Sequence, residues 1–171
     1  MINIKSKITR FGLAIFVLVM CLFPLLQTAP AYADMVVTFP DANLEAAVRA
    51  TLAKPVGDIN QSDLNVFSSF FAVSEGITNL SGMEYWTNLT TTYLADNNIS
   101  DLSYLSGLTN LTSLSLDENL ITNISPLAGL TNLMYLDLGE NNISNISALS
   151  NLTNMIDLDL FYNNIVNVSP W

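Results

Sequence analysis

Asp157 and Asp159 stand two residues apart in Ile156-Asp157-Leu158-Asp159-Leu160, where apolar and acidic residues alternate. The alternation predicts a β-strand, so both carboxylates leave the same face, with Cα atoms about 6.6 Å apart. That separation suits the carboxyl pair of an inverting glycosidase, in which one group stays protonated while the other activates water. An open strand face offers nothing to raise the pKa of one partner, and the pair reads instead as part of a solvated acidic surface. The same oxygens are hard ligands suited to calcium, but no loop supplies the six or more that calcium takes.

Two further residue types bound the chemistry. His is absent from all 171 residues, and the one Cys, Cys21, lies in a segment read below as an export leader. Nucleophilic triads, imidazole bases, thiol catalysis and ordinary zinc sites each need one of them. The expectation is a protein that is not an enzyme and carries no metal and no cofactor.

The elements that position these carboxylates are set by a 22-residue period. From Leu108 the apolar slots are Leu111, Leu114, Leu116, Ile121, Ile124 and Leu127, with Asn119 between them. The units from Leu130 and Leu152 fill the same slots, the latter ending at Val168 and Trp171, and so does the unit from Trp86 except at Thr92. A weaker unit starts at Leu64, with Glu75 in the Asn slot. Each unit carries one short strand, as in Leu114-Ser115-Leu116, and then turns back along an outer side. Inward residues are apolar because they stack into one continuous core.

The recurring Asn97, Asn119, Asn141 and Asn163 have a different task. A tight turn after every strand leaves backbone N–H and C=O groups pointing inward, and a buried amide supplies both donors and acceptors. These four are expected to form a hydrogen-bonded ladder, with Asn88, Asn110, Asn132 and Asn154 as a second row. Ser103, Ser125, Ser147 and Ser169 mark the turn onto the outer side, where their hydroxyls are expected to bond local backbone.

The repeated Leu-Thr-Asn-Leu opening (108–111, 130–133), with Ile-Ser-Pro-Leu (124–127) or Ile-Ser-Ala-Leu (146–149) near the end, resembles the leucine-rich repeat in its bacterial, internalin-like 22-residue subclass. The resemblance implies a fold of the α/β class: a right-handed solenoid with a parallel concave sheet, a short 3-10 or irregular outer side and a helical N-terminal cap. It also implies binding of other macromolecules from an extracellular or cell-surface position. Residues 64–171 form the repeats and residues 34–63 the cap. Within the cap, Asp41 is a helix N-cap, Leu44, Val48 and Leu52 make an apolar stripe, and Lys54-Pro55 ends the helix. Asp58 to Asp63 is expected to make a second short turn. Phe67, Phe70 and Phe71 fill the join to the first coil, though Phe71 falls on the outward side of the register and is either exposed or marks an irregularity.

Residues 1–33 read as a signal peptide. Lys5, Lys7 and Arg10 precede an apolar run from Phe11 to Leu26, and Ala31-Tyr32-Ala33 supplies a small-residue cleavage signature. The run of about 16 residues is shorter than the ~20 a spanning helix needs. Cleavage after Ala33 leaves a secreted or cell-surface chain with Arg49 and Lys54 against 15 carboxylates, a net charge of −13. Such a field excludes nucleic acid and an anionic membrane as partners, leaving a protein or glycan.

The outward strand positions of successive units lie side by side and define the candidate docking face. The residues singled out are Tyr93, Asp117, Tyr135, Asp137, Asp157, Asp159 and Phe161. The fold needs no aromatic there, and exposed aromatics are common anchors of binding hot spots; the alternative is that they only favour strand structure. Val168-Ser169-Pro170-Trp171 stops inside a unit, an incomplete last repeat without a C-terminal cap. The expectation is a fragment of a longer surface protein, or an end face covered by a partner or by end-to-end self-association. The function expected is macromolecule binding, with a structural spacer as the alternative.

Overall fold

The computed structural model describes residues 34–166. The leader reading of residues 1–33, and the last repeat slots Val168 and Trp171 with Ser169, lie outside them.

The cap opens with strand β1 (Val36–Val37), which pairs antiparallel with β2 (Ile59–Asn60). Between them runs helix α1 (Ala42–Leu52). The Asp41 carboxylate accepts from the Asn43 and Leu44 amides at 3.0 Å, satisfying donors that the helix cannot pair internally. Its other oxygen accepts from the Thr78 amide and hydroxyl, both at 2.8 Å, and from the Asn79 amide at 3.1 Å. One side chain thus caps the helix and ties it to the first coil. Burial pushes the Asp41 carboxyl up, but the bonds from Thr78, Leu44 and Asn79 outweigh it and hold the group at about 2. α1 ends at Ala53, in the left-handed region at φ 50°, one residue before the expected Lys54-Pro55. Leu44 and Val48 are buried and Leu52 half-buried. The segment expected as a second turn divides into β2 and the four-residue helix α2 (Gln61–Leu64).

Five three-residue strands follow: β3 (Ser69–Phe71), β4 (Thr91–Tyr93), β5 (Ser113–Ser115), β6 (Tyr135–Asp137) and β7 (Asp157–Asp159). They form one parallel sheet in sequence order, and every partner sits 22 residues away. Parallel neighbours need a crossover, supplied in each coil by an outer segment bearing a 3-10 turn: Met83–Tyr85, Ser103–Leu105, Ser125–Gly129 and Ser147–Asn151. The apolar slots of the coils from Trp86 to Leu152 are buried to within 2 % of full exclusion. In the last coil Met155, Leu158, Leu160 and Ile165 are half-buried, because no further coil lies against them among the described residues. Among those residues, no helix is long and apolar enough to cross a membrane.

The amide side chains close each turn. Asn119 Nδ2 donates to the carbonyls of Leu94, Leu116 and Asp117, at 2.9 to 3.1 Å, while its Oδ1 accepts from the Ile99 amide at 2.9 Å. Asn97, Asn141 and Asn163 repeat the pattern one coil away. Each Asn thereby closes its own coil and the one before it. Glu75 occupies the Asn slot of the first coil because the cap, not a preceding coil, lies behind it. The second row, Asn88, Asn110, Asn132 and Asn154, donates to carbonyls 23 residues earlier at the surface.

One local expectation is corrected, and one alternative at the cap join is resolved. The turn onto the outer side is held not by serine hydroxyls but by the side chain two residues earlier: Asp101, Asn123 and Asn145 accept from the amides of Ser103, Ser125 and Ser147, an Asx turn. At the cap join, Phe70 is buried against Trp86, ring centroids 5.0 Å apart, and Phe67 is half-buried. Phe71 is 56 % exposed, and its ring stands edge-on to Tyr93 at 5.1 Å.

Candidate functional site

Alternation along each strand sends one set of residues into the core and the other onto the concave face. Strict 22-residue pairing then aligns that second set into columns. Ser69, Thr91, Ser113, Tyr135 and Asp157 form one; Phe71, Tyr93, Ser115, Asp137 and Asp159 form the next. Just past the strands lie Ala95, Asp117, Gly139 and Phe161. Tyr93, Tyr135 and Phe161 are 42 %, 46 % and 45 % exposed, and Asp157 and Asp159 are exposed as well. Asp117 and Asp137 are half-buried.

The columns are graded along the solenoid. Toward the cap the face is aromatic and apolar, with Phe71 against Tyr93; toward β7 it is acidic. Between these ends is a recess of about 320 Å³, walled by Tyr93 and Tyr135 and floored by Ser113 and Ser115, with Asp137, Asp157 and Asp159 on its border. Ser115 donates its hydroxyl to Asp117 at 2.6 Å, and Asp137 accepts from the Gly139 amide at 3.0 Å. Burial pushes the Asp137 carboxyl above its ordinary range, against that bond, and repulsion from Asp117, Asp159 and Asp157 adds to the rise. Gly139 is buried although its position faces outward. The Phe161 ring lies over it so closely that a Cβ would stand 2.2 Å from a ring carbon, so glycine is what lets the ring settle on the preceding coil.

A second acidic row was missed by reasoning from strand alternation. The residue before each ladder Asn, namely Asp96, Glu118, Glu140 and Tyr162, adopts left-handed backbone at φ 48° to 52°, and Ser74 does so at 61°. Glycine ordinarily marks such positions, and none stands here. The available signal was the recurrence of Asp or Glu before Asn at 96, 118 and 140. The row is electrostatically coupled: Glu118 is held above the ordinary carboxylate range first by Glu140, with desolvation, Asp96 and Asp117 adding.

No compensating charge lies in the repeats. From Leu64 onward the sequence has ten acidic residues and no Lys, Arg or His. In the cap, Arg49 is engaged with Glu45 at 2.8 Å and Lys54 with Asp63 at 2.6 Å. The concave face is therefore an anionic, partly aromatic surface open to solvent, chemically suited to docking a basic or amphipathic group.

Comparison with known proteins agrees with this architecture. A leucine-rich-repeat family model matches residues 109–165, and a model of two tandem leucine-rich repeats matches residues 87–129. No curated protein matches the chain by sequence. Among solved structures, an internalin of Listeria monocytogenes, InlF, is similar at 39% identity and a TM-score of 0.78, over 83% of this chain and 43% of that one. The functional domain of InlJ from the same organism, described as including a cysteine ladder, is similar at 29% identity and a TM-score of 0.65, over 77% of this chain and 34% of that one. This chain thus spans less than half the length of either. The chain is a bacterial leucine-rich-repeat protein of the internalin-like, 22-residue kind.

Proposed function

We propose that this chain is the binding module of a secreted or cell-surface protein and holds a protein partner on its concave face. One observation carries the reading: Tyr93 and Tyr135 on the strands and Phe161 just past β7 are exposed on the concave face, at positions where the alternation asks for nothing apolar. Large, rigid aromatic side chains lose little conformational entropy on binding and anchor interfaces. Ten carboxylates without a base in the repeats favour a basic polypeptide over a neutral glycan, since opposite potential speeds and orients docking. The export half of the proposal rests on residues 1–33, whose basic start, apolar run and Ala31-Tyr32-Ala33 site fit a leader removed after Ala33.

The competing reading is a spacer that displays another domain. Site-specific photo-crosslinking separates the two. An aromatic crosslinking residue replacing Phe71, exposed beside Tyr93 on the concave face but outside the recess, is expected to capture a partner from envelope or host-cell extracts, whereas one replacing Ser144 on the outer side, also exposed, captures nothing comparable. Equal capture at both positions, or none at either, favours the spacer.

A further inference from the structure

The recess on the concave face has a shape as well as a charge. Tyr93 on β4 and Tyr135 on β6 stand on either side of β5, diagonally, with only Ser113 and Ser115 between them. Strands two apart lie about 10 Å from one another, and the two-residue offset adds about 7 Å along them, so the two Cα atoms stand about 12 Å apart on the diagonal. A flat group in van der Waals contact with a ring on each side needs about 7 Å, so the space between the tyrosines admits a planar group. Tyr93 is packed by Phe71 on the side away from the recess, and the Ser115 hydroxyl of the floor is tied to Asp117. At the open side stands Asp137, half-buried, oriented by the Gly139 amide and without a cation in the repeats to answer it.

We propose that this recess is the seat of an arginine side chain of the protein partner, its guanidinium lying over the serine floor between the tyrosine rings with Asp137 as counter-ion. The inference rests on the concave-face reading and adds the chemistry of the group bound. Arginine fits better than lysine for physical reasons. The guanidinium is planar, stacks on aromatic faces, sheds its hydration more readily and presents a fork of donors to a carboxylate. An ammonium is a compact point charge that would gain from the acidic field without using the slot.

The test is a nuclear magnetic resonance titration of the full chain with three capped pentapeptides, identical except for arginine, lysine or glutamine at the centre. The arginine peptide is expected to shift the amides of Ser113, Ser115 and Tyr135, to bind several-fold more tightly than the lysine peptide, and to lose roughly fivefold or more in affinity on Tyr135→Ser. Asp137→Asn is expected to weaken it similarly. Ser115→Arg, which fills the seat from within the chain, abolishes binding while the remaining amide spectrum and the melting temperature show an intact fold. Equal binding of the arginine and lysine peptides, indifference to Tyr135→Ser, or shifts confined to other coils would overturn the seat and leave only a diffuse field. Crosslinking from position 71, outside the recess, distinguishes the two levels. Partner capture that persists while the peptides fail removes the arginine seat alone, and loss of capture removes the docking face itself.

Discussion

Asn119 satisfies four backbone groups across two coils, three carbonyls through Nδ2 and one amide through Oδ1. Asn119→Ala leaves these groups buried without partners and is expected to cost about 1–3 kcal/mol, read as a lower urea midpoint. Asn163→Ala, at a half-buried site, is expected to cost less; the reverse order would contradict the burial argument. Thr92 is the opposite case. It is fully buried and its hydroxyl has no partner, in register with Phe70, which packs on Trp86. Those two rings take the volume that a leucine fills in later coils. Thr92→Val should raise stability by about 1 kcal/mol by removing the orphan hydroxyl, whereas Thr92→Leu should overpack the site and lower it. The leucine slots and the Asn row were legible because burial fixes residue type at each. The left-handed turns at Asp96, Glu118 and Glu140 were not, since an acid in place of glycine carries no conformational signature and the ladder Asn beside it absorbs the turn's hydrogen bonds.

Among the elements, α1 is joined to the repeats through the buried Leu44 and Val48, through Asn43, which donates its Nδ2 to the Gly76 carbonyl at 3.1 Å, and above all through the Asp41 carboxylate. Asp41→Ala removes both the helix cap and the bonds to Thr78 and Asn79, and is expected to destabilise the protein by about 2 kcal/mol. Hydrogen exchange should show α1 opening before the strands; uniform loss of protection would argue that cap and coils do not separate. The helix and its N-cap were readable because an acid followed by a fourfold apolar stripe has a local meaning. The β1–β2 ribbon was not, because two-residue strands carry no periodicity and are defined only by each other. Likewise the Asx turns at Asp101, Asn123 and Asn145 share a dipeptide neighbourhood with the serines that follow, and residue type alone did not say which side chain bonds. At the site, strand alternation was enough to name Tyr93, Tyr135, Asp137 and Phe161, and the 22-residue pairing places them side by side. The depth of the recess was hidden, because it depends on two serines being small relative to their neighbours across three strands.

For the whole molecule, charge decides the response to pH. Asp137 and Glu118 are raised above their ordinary values of 3.8 and 4.5, so the folded state binds their protons more readily than the unfolded chain. Their contribution to stability therefore grows as pH falls through the folded values. Asp41, lowered from 3.8 to about 2, and Asp63, lowered chiefly by the Lys54 hydrogen bond, act oppositely. Their stabilisation is present above 3.8 and is lost as pH falls through the folded values, about 2 for Asp41. The melting temperature is accordingly expected to rise as pH falls from neutrality toward the ordinary values of 4.5 and 3.8, and to fall again as pH drops below 3.8 toward about 2. A monotonic fall from neutrality would show that carboxylate repulsion in the repeats is unimportant. The central claim concerns the open acidic wall of the solenoid, and the affinity for a partner captured at position 71 tests it most directly. Replacing both Tyr135 and Phe161 by Ser should weaken that affinity by tenfold or more, the loss of two aromatic anchors, while the chain stays cooperatively folded at the assay temperature, its melting temperature lowered only by the packing that Phe161 gives up on Gly139. An unchanged affinity would contradict the account and move the interface away from the concave face.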